Sequence, residues 1–182
     1  ISLAVGDEES LIVASCESVT ERAERTLSAF RRHYSRLYIA LDQLSLVRAS
    51  LYLSMLGGAF PTNDNITTVI EALHEAGERR YLPDGLLTRA LFRAVTEDFL
   101  GAKEDLDEAY DIAERGPMKL HLADIHLHRA RLFGLCAERP KQYPWESPES
   151  DLAEARRLIE ECGYWRRKEE LEDAEAALRA LQ

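Results

Sequence analysis

Glycine and proline are scarce in this chain, nine and six among 182 residues. An all-β fold needs frequent turns, and so few turn formers leave little room for one. Cysteine is scarcer still. Cys16, Cys136 and Cys162 form an odd set without paired spacing. That excludes a disulfide scaffold and points to a reducing, cytoplasmic compartment. No apolar run approaches the roughly 18 residues that a bilayer crossing requires, so no membrane association is expected. A signal peptide and an initiator methionine are both missing, and the chain is expected to be a piece of a larger protein. Positive charge is in deficit: 23 Lys and Arg face 33 Asp and Glu, a formal charge of −10. Non-specific binding to nucleic acid or anionic lipid wants cationic surface, so neither is an expected partner. Gly57-Gly58 lacks the glycine spacing and the Lys-Ser/Thr of a phosphate loop, and no Gly-x-Ser-x-Gly elbow occurs. No catalysis and no cofactor are expected of this chain.

What the chain does have is apolar periodicity. Apolar residues make up 46% and charged residues 31%, the profile of a soluble globular protein. A chain of this length buries roughly 70% of its unfolded surface and needs no staple. From Leu41 to Leu56, leucines at 44, 46, 51, 53 and 56 recur with Val47 and Tyr52, which predicts a helix packed on more than one face. Further helices are predicted over Ile66–Arg79, from Leu82-Pro83 to about Thr96, and over Phe99–Arg115 and Lys119–Cys136. Ser147-Pro148 is a good N-cap followed by a good first helical residue, and that helix runs to Cys162 with Gly163 as a left-handed C-cap. A last, heavily charged helix covers about Arg166–Leu181. The first 35 residues hold one or two more, with Leu27 and Phe30 on the buried side. The fold class is therefore all-α, with seven or eight helices and no strand.

Three of these helices carry an Arg-Ala pair followed by bulky residues: Arg48-Ala49-Ser50-Leu51-Tyr52, Arg89-Ala90-Leu91-Phe92 and Arg129-Ala130-Arg131-Leu132-Phe133. Each precedes a second helix with its own signature: Ile70-Glu71-Ala72, Asp105-Leu106-Asp107-Glu108-Ala109 or Asp151-Leu152-Ala153-Glu154-Ala155. A helix pair cannot bury its faces alone, so such pairs stack on one another. The expected organisation is one repeat domain over 1–182: helix pairs at about 36–80, 82–116 and 117–163, a capping helix over 165–181, and residues 1–35 as the end of a preceding repeat.

On these residues the chain resembles the tetratricopeptide repeats. In the best unit Ala90, Ala102 and Leu106 stand where that family has its small, small and large residues. Leu86 replaces the usual Trp, and Arg89 and Arg93 replace an apolar residue and an aromatic. The strings Leu41-Asp42-Gln43-Leu44, Tyr81-Leu82-Pro83-Asp84-Gly85, Leu120-His121-Leu122-Ala123-Asp124 and Gly163-Tyr164-Trp165-Arg166 are similar to the C-terminal arrays of bacterial STAND and NACHT signalling ATPases. The resemblance implies a right-handed α-α superhelix of three helix pairs plus a cap, working as a cytoplasmic sensor or scaffold. Its partner would be a protein, a peptide or another domain of the parent chain. It places a partner-binding groove on Gln43, Leu46, Ser50 and Leu53, then Asp84, Leu87 and Leu91, then Asp124, Leu127 and Arg131. That largely aliphatic surface suits an amphipathic helix better than an acidic tail.

Two other readings stand beside this one. His121, Asp124 and His128, at steps of three and four, fall on one helical face and could converge on zinc or iron in a metal-binding or metal-dependent helical protein. The same pattern also fits a polar stripe on an inner helix, with His126 packed between the helices of its own repeat. A self-assembly module, stacking end to end, is the third class. In the Pro-punctuated segment Arg139–Trp145, Tyr143 and Trp145 either fold back over the core or form an exposed anchor for a partner. The eight carboxylates of Glu97–Glu114, opposed by Lys103 alone, make either a docking surface for a basic partner or a solvated outer face.

Overall fold

The computed structural model describes residues 2–30, 35–58, 61–135 and 142–181. Phe60, Cys136 and residues 139–141 of the Pro-punctuated segment lie outside the described residues, as does the side chain of Phe30. Among the described residues there are eight α-helices and no strand. They are α1 (Ser2–Phe30), α2 (Arg36–Met55), α3 (Asn63–Glu75), α4 (Leu82–Val95), α5 (Phe99–Arg115), α6 (Lys119–Arg129), α7 (Pro148–Cys162) and α8 (Lys168–Ala180). Short 3₁₀ turns at Arg79–Tyr81 and Trp165–Arg167 lead into α4 and α8, and a π-helical segment, Ala130–Leu135, extends α6. The chain divides into two compact units, Ile1–Glu78 and Arg79–Gln182.

In the first unit α2 packs between α1 and α3. Ala40, Leu44, Val47 and Leu51, three or four residues apart, form its most buried stripe. From α3, Ile66, Val69 and Leu73 are buried, and α1 contributes Cys16 and Ala23. Leu27 is half-buried. The start of α3 is a reciprocal capping box: the Thr62 hydroxyl accepts from the Asn65 N–H at 3.3 Å, and the Thr62 N–H donates to Asn65 Oδ1 at 3.3 Å.

In the second unit each helix packs on the next in sequence, α4 also touches α6, and α8 rests on the π-helical segment. α4 buries residues nearly all round its circumference, Pro83 in its first turn among them. A stripe of small residues on α5, Gly101, Ala102, Ala109 and Ala113, is buried and leaves room for neighbouring side chains, Arg93 among them at Gly101. Gly134 does the same in the π-helical segment, where an added Cβ would stand 2.8 Å from Cβ of Pro148. Ser147 caps α7 by accepting from the Ser150 N–H at 3.0 Å. Gly163 ends it at φ 64°, and the Tyr164 N–H reaches back to the Ile159 carbonyl. The core of this end joins Leu127, Ala130, Leu152, Leu158, Ile159 and Leu171.

Candidate functional site

On its α3 side, α2 borders a cleft of about 370 Å³. Gln43 and Leu46 line it from α2, and Thr62, Asp64, Asn65 and Thr68 from α3 and its cap. Val47 and Val69 form the apolar floor, and both are buried. The local sequence explains the geometry. The capping box fixes the first turn of α3, which turns Asp64 and Thr68 toward the Gln43–Leu46 face of α2. The result is a concave surface with an aliphatic base and a rim of amide, hydroxyl and carboxylate groups. Gln43 and Leu46 are expected groove positions. Ser50 and Leu53 are half-buried on α2 and do not line this cleft. The α3 residues were not foreseen as site residues, although Thr62-x-x-Asn65 is legible as a helix start.

The remaining expected groove residues lie in the second unit, and the structure uses most of them internally. Leu87 is 4% exposed and Leu127 is 0% exposed, so the expected groove loses two of its leucines to the core. Leu91 is half-buried. Asp84 Oδ2 lies 3.2 Å from His121 Nε2, joining α4 to α6. Asp124 is buried and holds the C-terminal turn to α6: Arg167 Nε donates to Oδ1 at 2.7 Å and the Tyr164 hydroxyl to Oδ2 at 3.0 Å. Arg131 is exposed and pairs with Glu170 at 3.0 Å. Burial alone would lower the pKa of Arg167, but Asp124 and Glu170 together outweigh it and raise the pKa above the ordinary value.

The three residues of the metal reading are committed elsewhere. His121 pairs with Asp84, the Asp124 carboxylate takes Tyr164 and Arg167, and His128 Nδ1 lies 2.8 Å from the Asp124 backbone carbonyl. Burial pushes the pKa of His128 below its usual value, against a smaller pull from that carbonyl and from the Asp124 carboxylate. No group of three or more His, Cys, Asp or Glu among the described residues is arranged to hold a metal ion. His126 Nδ1 lies 2.5 Å from Asp151 Oδ1 of α7, its partner helix, and its ring meets Tyr110 edge-on.

Tyr143 and Trp145 fold back onto the second unit and are half-buried rather than free anchors. The Tyr143 hydroxyl donates to Asp151, and burial with that neighbouring carboxylate drives its pKa up. The indole of Trp145 donates to Asp107 at 2.8 Å and packs edge-to-face on Phe133, with ring centroids 5.0 Å apart. Between Trp145 and Tyr110 lies the guanidinium of Arg129, 4.5 and 4.6 Å from the two rings. In the acidic stretch, Asp105 is fully buried, with Arg89 at 2.6 Å and Arg93 at 3.0 Å. Burial raises its pKa, and the two guanidinium groups offset part of that rise. At least these two carboxylates, Asp105 and Asp107, hold the fold together.

No family model, curated protein or solved structure matches the chain. Among the described residues no helix is long and apolar enough to cross a membrane.

Proposed function

We propose that the chain is a protein-binding helical-repeat module of the tetratricopeptide kind, a sensor or scaffold segment of a larger bacterial signalling protein in the cytoplasm. In this reading its helix pairs belong to a right-handed superhelix, and the module seats a short peptide or helix of a partner protein. The observation that carries the reading is the α2/α3 cleft, where Gln43 and Leu46 line a concave surface of mixed apolar and hydrogen-bonding character. Pairwise helix packing in the second unit, with α4 touching α6, supports the repeat assignment.

The test is selection of a displayed random-peptide library on the purified chain, followed by affinity measurement on the enriched peptides. Native protein should enrich a recognisable motif, and Leu46→Arg or Thr68→Arg should each weaken binding at least tenfold, because each puts a long cation into the cleft. Enrichment no greater than on an unrelated helical protein would sink the reading. So would peptides that bind both variants with native affinity.

A further inference from the structure

The α2/α3 cleft has a sign as well as a shape. Among the described residues that line it, Asp64 alone is charged, and it is exposed at the rim. Beside it the Thr62 and Asn65 side chains are engaged with each other in the capping box, while Val47 and Val69 are buried in the floor. Basic residues are placed elsewhere. α3 contains no Lys or Arg. On α2, Arg48 lines a different cleft on the α1 side, and Arg36 is the first residue of the helix, seven residues before Gln43.

The acidic character continues along α3. Thr68, Glu71 and Glu75 follow Asp64 at steps of four, three and four, so all four residues share one face of the helix. Both glutamates are exposed. Asp64 and Glu71 stand about 10 Å apart along the axis at 1.5 Å per residue, a distance that an extended peptide covers in about three residues. The positive end of the α3 dipole opposes a cation at this place. Its strength is about half an elementary charge, which the carboxylate of Asp64 outweighs by itself. The whole chain has the same sign, with a formal charge of −10.

We infer that the α2/α3 cleft selects a basic partner segment, one aliphatic side chain flanked by Lys or Arg. This deepens the function proposed above and rests on it, since the cleft must first be a peptide site. The aliphatic side chain is desolvated against Leu46, Val47 and Val69, and the flanking cations meet Asp64 and Glu71. Gln43 and Thr68 supply amide and hydroxyl groups for the segment's backbone. An acidic segment is rejected, because its carboxylates would face carboxylates across the rim.

The probe is a displayed random-peptide library, with the enriched peptides then synthesised and titrated individually. Peptides selected on the native chain should be enriched in Lys and Arg next to an aliphatic residue and depleted in Asp and Glu. Changing one such Lys or Arg to Gln should weaken binding about threefold, as should Asp64→Asn or Glu71→Gln in the protein. Glu71→Lys, which leaves the capping box untouched, should weaken it about tenfold by adding repulsion to the lost attraction. Raising NaCl from about 0.05 to about 0.5 M should also weaken it at least about threefold. Asp173→Asn on α8 makes the same change in net charge as Asp64→Asn and should leave binding unchanged.

Enriched peptides without excess Lys or Arg would overturn the inference. So would enriched peptides whose affinity ignores Asp64→Asn and Glu71→Gln yet falls with Leu46→Arg; either result leaves the peptide-binding module standing. Equal weakening by Asp173→Asn would overturn it too, by assigning the attraction to net charge rather than to the cleft. Concentration-dependent dimers abolished by Glu71→Lys would give the cleft to a second copy and overturn the partner assignment. A library that enriches nothing removes the proposed function and this inference with it.

Discussion

At Asp42, on α2, one carboxylate oxygen is buried with no hydrogen-bond partner among the described residues, and burial raises the pKa of the group. A carboxyl whose pKa is raised in the folded state favours folding while it is protonated. That contribution is complete below the ordinary carboxylate value of about 3.9 and is lost as pH rises through the folded-state pKa. Asp42→Ala should therefore stabilise the chain at pH 7 by about 0.5–1 kcal/mol, with the gain shrinking toward zero in acid. Thermal melts at pH 7 and below pH ~4 check both halves of the statement. His128 has the opposite sign. Its depressed pKa gives a contribution that is present above about pH 6.5, the ordinary histidine value, and lost as pH falls through the lower folded-state value. Replacing it with Leu should flatten the loss of stability on going from neutral pH to pH ~5. An unchanged slope would mean that His128 takes up a proton in the folded state as easily as in the unfolded one.

At the scale of helices, the termini were the most readable feature and the side-chain partners the least. Ser147-Pro148 and Gly163 mark both ends of α7 because caps are local chemistry, settled within four residues. The switch from α6 to a π-helical segment at Ala130 is not local. It goes with the close approach of Gly134 to Pro148, residues well apart in the chain. Gly134→Ala should destabilise the second unit by about 1–3 kcal/mol, since the proline ring cannot swing aside. Urea titration measures it, and a neutral result would show that the segment reverts to an ordinary α-helix at no cost. His121, Asp124 and His128, at steps of three and four, all lie on α6, yet Asp84, Tyr164 and Arg167 claim two of those side chains from about 40 residues away. Nothing in a spacing of three and four records such partners. Leu87 and Leu127 were misplaced for a related reason, because a groove and a core both ask for leucine at helical intervals. The recurring Arg-Ala pairs were visible, but what the arginines do was not: Arg89 goes to a buried carboxylate and Arg129 between two aromatic rings. Arg89→Ala leaves Asp105 with a single guanidinium partner in a buried site, and should cost roughly 2–4 kcal/mol in denaturant unfolding.

At the scale of the molecule, the chain carries two separate sets of packed side chains. Ile1–Glu78 closes around α2 and Arg79–Gln182 around α4 to α8, each with its own fully buried residues, Leu51, Ile66 and Leu73 in one and Leu86, Leu106, Leu127 and Leu171 in the other. Cooperativity follows shared burial, because a side chain lost from a core weakens only the elements that pack against it. Residues 79–182 expressed alone should keep their helicity and unfold in one cooperative transition. In the full chain, Leu158→Ala should lower the stability of this unit by about 2–5 kcal/mol, and Leu73→Ala should do the same to the other. Hydrogen exchange read helix by helix separates the cases. Leu158→Ala should accelerate the slowest amides of α4 to α8 and leave those of α2 and α3 unchanged, and Leu73→Ala should do the reverse. If either substitution accelerates both sets equally, the two cores unfold as one, and the α2/α3 cleft of the first unit would then depend on the ion pairs and aromatic contacts of the second.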